Sequence, residues 1–250
     1  MPFKRGPQIS ARLRGDPLTQ AMTSAGMNFA SSAAVDADIE ATIVAASEEG
    51  LERDDLRTLA VLTTWLEVHA EAINADRLIK IVRTIDSPRT RAFWSAFASR
   101  RRADRRFLRL KRLYTGPRLD LLSLGTDFHL RRHGEDPRFA DTALRVPANV
   151  LRDRRADVLD PGRLAKIHTP YRLRLLLGPS YRADMWAALD RDPTLSAAEL
   201  ARRADGSFAT AWQVKAHWNL LGGLKGALGS ANRRPKRTRA PSVPDSSPEP

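Results

Sequence analysis

Two histidines four residues apart, His129 and His133, are the first candidates for chemistry. That spacing sets both imidazoles on one helix face, where they can share a zinc ion. Asp127, Glu135 and Asp136 lie nearby. The position at which a metalloprotease keeps its glutamate is Leu130, however, and Arg131 and Arg132 repel a cation. Solvated or hydrogen-bonded histidines are therefore expected. His69 falls on an apolar stripe and reads as a hydrogen-bonded core histidine. His168 and His217 show no partner pattern. Glu48-Glu49 and Asp54-Asp55 are paired carboxylates, but each pair sits at a helix end, where acidic groups complement the helix dipole. Neither Gly-x-x-x-x-Gly-Lys, nor Gly-x-Gly-x-x-Gly after a strand, nor Gly-x-Ser-x-Gly occurs. The chain has no cysteine, which excludes disulfides, thiolate metal sites and a cysteine nucleophile. These residues assign no catalytic group, no metal and no cofactor, and the chain reads as something other than an enzyme.

Charge points elsewhere. The 250 residues hold 42 Lys+Arg against 29 Asp+Glu, a formal net charge of +13, and most of the cations are arginine. Guanidinium grips phosphate with paired hydrogen bonds, and an excess of this size attracts polyanions. From Arg100 to Arg112, eight of thirteen residues are basic, interleaved with Phe107, Leu108 and Leu110. A helix here would bury Phe107 and Leu110 and fan arginines outward. Arg101, Arg102, Arg105, Arg106 and Arg109 then form either a solvated face or a ridge for phosphates.

The sharpest local pattern lies between Ser180 and Leu221. Tyr181 to Leu189 reads as a helix ended by Asp192-Pro193-Thr194. Ser196 with Glu199 forms a capping box for a short helix that carries Arg202 and Arg203 outward. Ala204-Asp205-Gly206 is a turn, with glycine supplying the positive φ of a sharp bend. Ser207 is an N-cap for a last helix to about Leu221. Ala211, Val214, Trp218 and Leu221 share its inner face, and Thr210, Gln213, Ala216 and His217 lie opposite. Hydrogen-bonding side chains around a small residue suit a groove of DNA. Gln213 can pair with adenine, while Arg202, Arg203 and Lys215 would lie near phosphates. This stretch, LSAAELARRADGSFATAWQVKAHW, resembles the helix-turn-helix and winged-helix regions of bacterial transcription regulators. The preceding YRLRLLLGPSYRADMWAAL is similar to the lead-in of regulators paired with nucleotidyltransferase toxins in toxin–antitoxin operons. The resemblance is confined to the C-terminal part and implies DNA binding with the second helix in the major groove. Two features set the chain apart: Trp212 and Trp218 make that helix bulky, and no β-wing follows.

The elements that must position these residues read as all-α or nearly so: a multi-helix bundle with a C-terminal helix-turn-helix unit and disordered termini. Residues 1–34, rich in Gly, Pro, Ser and Ala, are expected to be a disordered arm. Residues 35–114 read as a helical module, with helices over 35–48, 54–73 and 76–85 and a fourth started by Pro88. Residues 115–169 read as short helices and loops, with Leu119, Leu121, Leu122, Phe128 and Phe139 buried on the core. Residues 170–221 form the helix-turn-helix domain, and 222–250 a disordered basic, proline-rich tail. No apolar run approaches a bilayer span or a secretory signal, so a cytoplasmic protein without membrane contact is expected. The expected function is a DNA-binding transcriptional regulator that acts as an autoregulating antitoxin, as a dimer because half-site recognition takes two copies. The alternative is a protein-interaction module that binds an acidic partner, such as a toxin, without DNA. The third is RNA binding, through aromatic groups interleaved with arginine.

Overall fold

The computed structural model describes the backbone of residues 13–231 and the side chains of 13–222. The N-terminal residues 1–12, the basic tail beyond 231 and what was expected of them lie outside the described residues. Within them the protein is all-α apart from two short strands. The helices are α1 (Gly15–Ser24), α2 (Ile39–Glu52), α3 (Leu56–His69), α4 (Ala75–Arg83), α5 (Pro88–Arg100), α6 (Leu108–Lys111), α7 (Thr126–His133), α8 (Pro161–Ile167), α9 (Thr169–Leu177), α10 (Tyr181–Arg191), α11 (Ala197–Arg203) and α12 (Phe208–Ala231). Strands β1 (Leu119–Asp120) and β2 (Leu144–Arg145) pair in parallel, Leu119 opposite Leu144.

Local sequence explains the starts. Asp38, Asp55, Asn74, Ser87, Asp160, Ser180 and Ser196 each cap a helix through a side-chain oxygen that accepts a backbone N–H. Gly50 does not end α2, which runs on to Glu52. A Cβ at Gly50 would meet Leu59 Cδ2 at 2.9 Å, so glycine is needed there to let α2 and α3 approach. Nor does the glycine-rich stretch from Gly222 end α12. The arginine-rich stretch is not one helix. It breaks after Arg100, takes a 3-10 turn at Arg105–Phe107, and resumes as α6, still burying Phe107 and Leu110.

Two apolar cores result. The larger draws on every helix from α1 to α9 except α7, around Trp65, Trp94, Phe107, Phe139 and Tyr171. Residues 13–34 belong to it and are not an unstructured arm. Leu18, Ala21, Met22 and Ala25 recur at helical spacing and are buried, and the Trp65 indole donates to the Ala25 carbonyl at 2.7 Å. The middle segment packs on the same core through Leu121 and Phe139, with Leu119 against it; Leu122 is buried outside that cluster and Phe128 is exposed. The smaller core is made by α10, α11 and α12 from Met185, Leu189, Leu195, Leu200, Ala204, Ala211 and Val214. Helix α9 was expected to belong with it but contributes Tyr171 to the larger core.

Candidate nucleic-acid interface

Helices α11 and α12, joined by a tight turn, form the helix-turn-helix, with α10 packed behind them. The capping box is complete: Ser196 Oγ accepts from Glu199 N, and a Glu199 carboxylate oxygen accepts from Ser196 N at 2.9 Å. Ser207 Oγ accepts from Thr210 N at 3.1 Å and opens α12. The turn differs from expectation in one respect. Asp205, not Gly206, takes the positive φ (55°). Gly206 serves close approach instead, since a Cβ there would meet Tyr181 Cβ at 3.2 Å and displace the Met185 side-chain end.

The inner face of α12 buries Ala211 and Val214 with Trp218 packed beside them, its ring 5.3 Å from that of Trp186. The outer arc exposes Gln213 and His217. The His217 Nδ1 accepts from the Arg182 guanidinium at 2.9 Å, which ties α12 to α10. Thr210 is half-buried and its hydroxyl is engaged with Ser207. Arg202 and Arg203 are exposed on α11. Lys215 is not part of this set. Two residues on from Gln213, it points about 160° away around the helix, and its ammonium donates to the Pro193 carbonyl at 2.6 Å. The structure thus brings Gln213 and His217 onto one surface, with Thr210 at its edge. The same exposed half of α12 carries large apolar side chains that the sequence analysis left out of the interface: Phe208, Trp212 and Leu220 are 59%, 62% and 67% exposed.

The arginine ridge divides into two kinds of residue. The Arg101 guanidinium donates to the Leu66 and Glu67 carbonyls, both at 3.2 Å. Arg106 holds Asp104 and donates to the carbonyls of Ala70, Glu71 and Ile73. These two tie the end of α5 to the C-terminal end of α3. Arg102, Arg105 and Arg109 are exposed; Arg102 and Arg109 lie 3.9 and 3.8 Å from Asp141 and Asp76.

What the sequence did not reveal is how the two units are joined. Glu40, at 0% exposure, receives two hydrogen bonds from the Arg174 guanidinium at 2.7 and 2.8 Å and a third from Asn74 N at 2.8 Å. Arg174 also donates to Asp184 on α10, at 2.7 and 3.0 Å. Arg77 on α4 pairs with Asp38 and donates to the Ala204 carbonyl in the helix-turn-helix turn at 2.9 Å. Lys80 pairs with Asp205, and Arg191 with Asp36. Burial pushes the Glu40 carboxyl above its ordinary range, against the pull of Arg174. Burial works to lower Arg174, but Glu40 and Asp184 outweigh it and hold the guanidinium firmly charged. The junction is an ionic network between α2, α4, α9, α10 and the turn, desolvated at Glu40 and Arg174 and open to solvent at Lys80 and Arg191.

The histidines are largely accounted for. His69 is buried, its Nδ1 against the Tyr171 hydroxyl at 2.7 Å and its Nε2 against the Leu159 carbonyl at 3.0 Å. Burial lowers it to about 4, so the ring is neutral and donates from Nε2. His168 accepts from Tyr171 N through Nδ1 and reaches the Ala37 carbonyl through Nε2, and burial lowers its pKa as well. His129 and His133 stack with centroids 6.3 Å apart. Among the described residues no group of three or more His, Asp or Glu is placed to hold a metal, and no helix is long and apolar enough to cross a membrane.

The fold defines an all-α protein in which a helix-turn-helix unit is locked to a larger helical module. No family model, no curated protein and no solved structure matches the chain.

Proposed function

We propose that the protein is a DNA-binding regulator in which α12 enters a major groove and α11 lies across the backbone. The observation that carries this reading is the open arc of α12. Gln213 and His217 are exposed, Ala216 between them permits close approach, and the exposed Arg202 and Arg203 stand on the adjoining helix. An amide such as that of Gln213 can pair with an adenine edge, and guanidinium groups neutralise phosphates. The net charge of +13 favours the encounter. Helix α4 touches both the helix-turn-helix turn, through Arg77, and the arginine ridge, through Asp76 and Arg109. Arg105 and Arg109 would therefore supply flanking phosphate contacts.

The test is an electrophoretic shift with the DNA flanking the protein's own gene, titrated with salt and random competitor. A retained complex in excess competitor supports the reading; a complex abolished equally by competitor and salt is charge alone. A second reading, a protein-binding module with an acidic or apolar partner such as a toxin, is favoured by Phe208, Trp212 and Leu220, exposed on the same helix. A complex in which Trp212→Ser abolishes partner capture while DNA binding is absent throughout would favour it. The regulator reading includes a dimer on two half-sites and an operon that it controls itself, and the flanking DNA is the natural place to look for both.

A further inference from the structure

A cleft of about 530 Å³ opens on the larger module, with no residue of α10, α11 or α12 in its lining. It is lined by the first turns of α3 (Leu56, Arg57, Ala60), by His129 and His133 of α7, and by the loop that carries Arg152 and Arg154.

The walls are built rather than incidental. The loop is pinned to α3 by Arg154 N, which donates to Thr64 Oγ1 at 3.0 Å. It turns at Asn149, a non-glycine residue with φ 65°, whose carbonyl accepts from Arg152 Nε at 3.2 Å. Helix α7 is fixed by the Asp127–Arg145 ion pair at 3.1 Å and by Ala148 N donating to the Gly134 carbonyl at 2.9 Å. Arg57 lies over the Phe29 ring, 5.4 Å from its centroid. No carboxylate lines the cavity. The neighbouring acids are turned to other work: Asp55 caps α3, and Asp157 lies 3.7 Å from one side of Arg154. An apolar floor (Leu56, Ala60, Val150) thus meets a cationic rim, at a volume in the range of small-ligand sites.

We propose that this cleft binds a small phosphate-bearing molecule, with its phosphate held by Arg57 and Arg152 and its less polar part laid on the floor beside His129. Guanidinium forks match phosphate oxygens bidentately, and the absence of facing carboxylates leaves their charge for a ligand. The inference concerns the larger module and stands whether or not α12 reads DNA.

Isothermal titration of the full chain with inorganic pyrophosphate and with adenosine 5′-monophosphate tests it. The expected result is saturable binding of one equivalent of at least one probe. The double variant Arg57→Gln/Arg152→Gln should weaken it about tenfold or more, as loss of charge-assisted hydrogen bonds does. Both side chains are exposed, so the thermal melt of this variant should match the parent. Arg202→Gln/Arg203→Gln, on the helix-turn-helix, should leave the affinity unchanged and so separates this site from general charge attraction. No saturation with either probe at concentrations up to about 10 mM, weaker than any specific small-ligand site, would overturn the proposal. So would binding that survives the cleft substitutions in a folded variant, or that falls equally with the helix-turn-helix substitutions.

Discussion

The two cores of this protein are held by different forces. The larger closes around whole aromatic side chains, with Trp65, Trp94 and Phe107 fully buried, and buried polar groups such as Ser47, Thr64 and His69 are hydrogen-bonded inside it. The smaller rests on Met185, three leucines, two alanines and a valine. A cluster of that size cannot offset the chain entropy of three helices on its own. Its remaining support comes from outside, through Arg174, Arg77, Lys80 and Arg191. The lesson is that the unit carrying α12, and with it the proposed DNA contacts, depends on the larger module for its stability. A change in the larger module can therefore reach α12 through that joint.

The largest expected effect comes from breaking the joint. Arg174→Met keeps much of the side-chain volume but strands Glu40 without its partner, and removing one half of a buried pair costs about 3–5 kcal/mol. Denaturant unfolding followed by tryptophan fluorescence should show that loss, with Trp186 and Trp218 reporting an earlier transition than Trp65 and Trp94. Replacing both partners, Glu40→Leu with Arg174→Met, should recover much of the loss. If the single variant costs less than about 1 kcal/mol, in the range of an exposed pair, the two units are joined by apolar contact and the contrast fails.

The next effect is on the larger core and follows from pH. His69 protonates near 6.5 when unfolded and at about 4 when folded. Its folded value is depressed, so the unfolded chain takes up more protons in that window. Stability is full above 6.5 and falls as the pH drops toward 4, by on the order of 2–3 kcal/mol. His168 adds in the same direction. His69→Gln should flatten the slope between those two values, and an unchanged slope would show that His69 is not the group responsible.

Smaller effects belong to the smaller unit. Ser196→Ala removes half of the capping box and should cost about 1 kcal/mol, seen as faster amide exchange in α11 than in α3. Trp212→Ser lies on an exposed face and should change stability by no more than about 0.5 kcal/mol. A larger drop in melting temperature would mean that Trp212 is covered in solution.

Sequence reasoning was most reliable where the physics is local. The capping box at Ser196, the N-cap at Ser207, and Ala211, Val214 and Trp218 on the inner stripe of α12 each follow from residues three or four apart, whereas Leu221, expected on the same stripe, is exposed. His69 was readable as a core histidine because its neighbours along α3 are apolar. The N-terminal helix escaped because a single stripe of Leu18, Ala21, Met22 and Ala25 lies among Gly, Pro and Ser, and its burial depends on Trp65, 40 residues on. The Glu40–Arg174 pair joins residues 134 apart, so no spacing rule finds it. The cationic cleft is similar. His129 and His133 drew attention as a metal pair, but their neighbours across the cavity are Arg57 and Arg152, which only the tertiary fold supplies. Lys215 was misplaced because a basic residue on a recognition helix was assigned by charge and not by its angle around the axis.

The central claim is that the open arc of α12 reads base edges. The most direct measurement is selection of bound sequences from a random duplex pool by the parent chain and by Gln213→Ala. The account predicts a defined consensus for the parent and loss of preference at one adenine-bearing position for the variant, with the rest retained. No enrichment by the parent, or identical consensus sequences for both proteins, would contradict it.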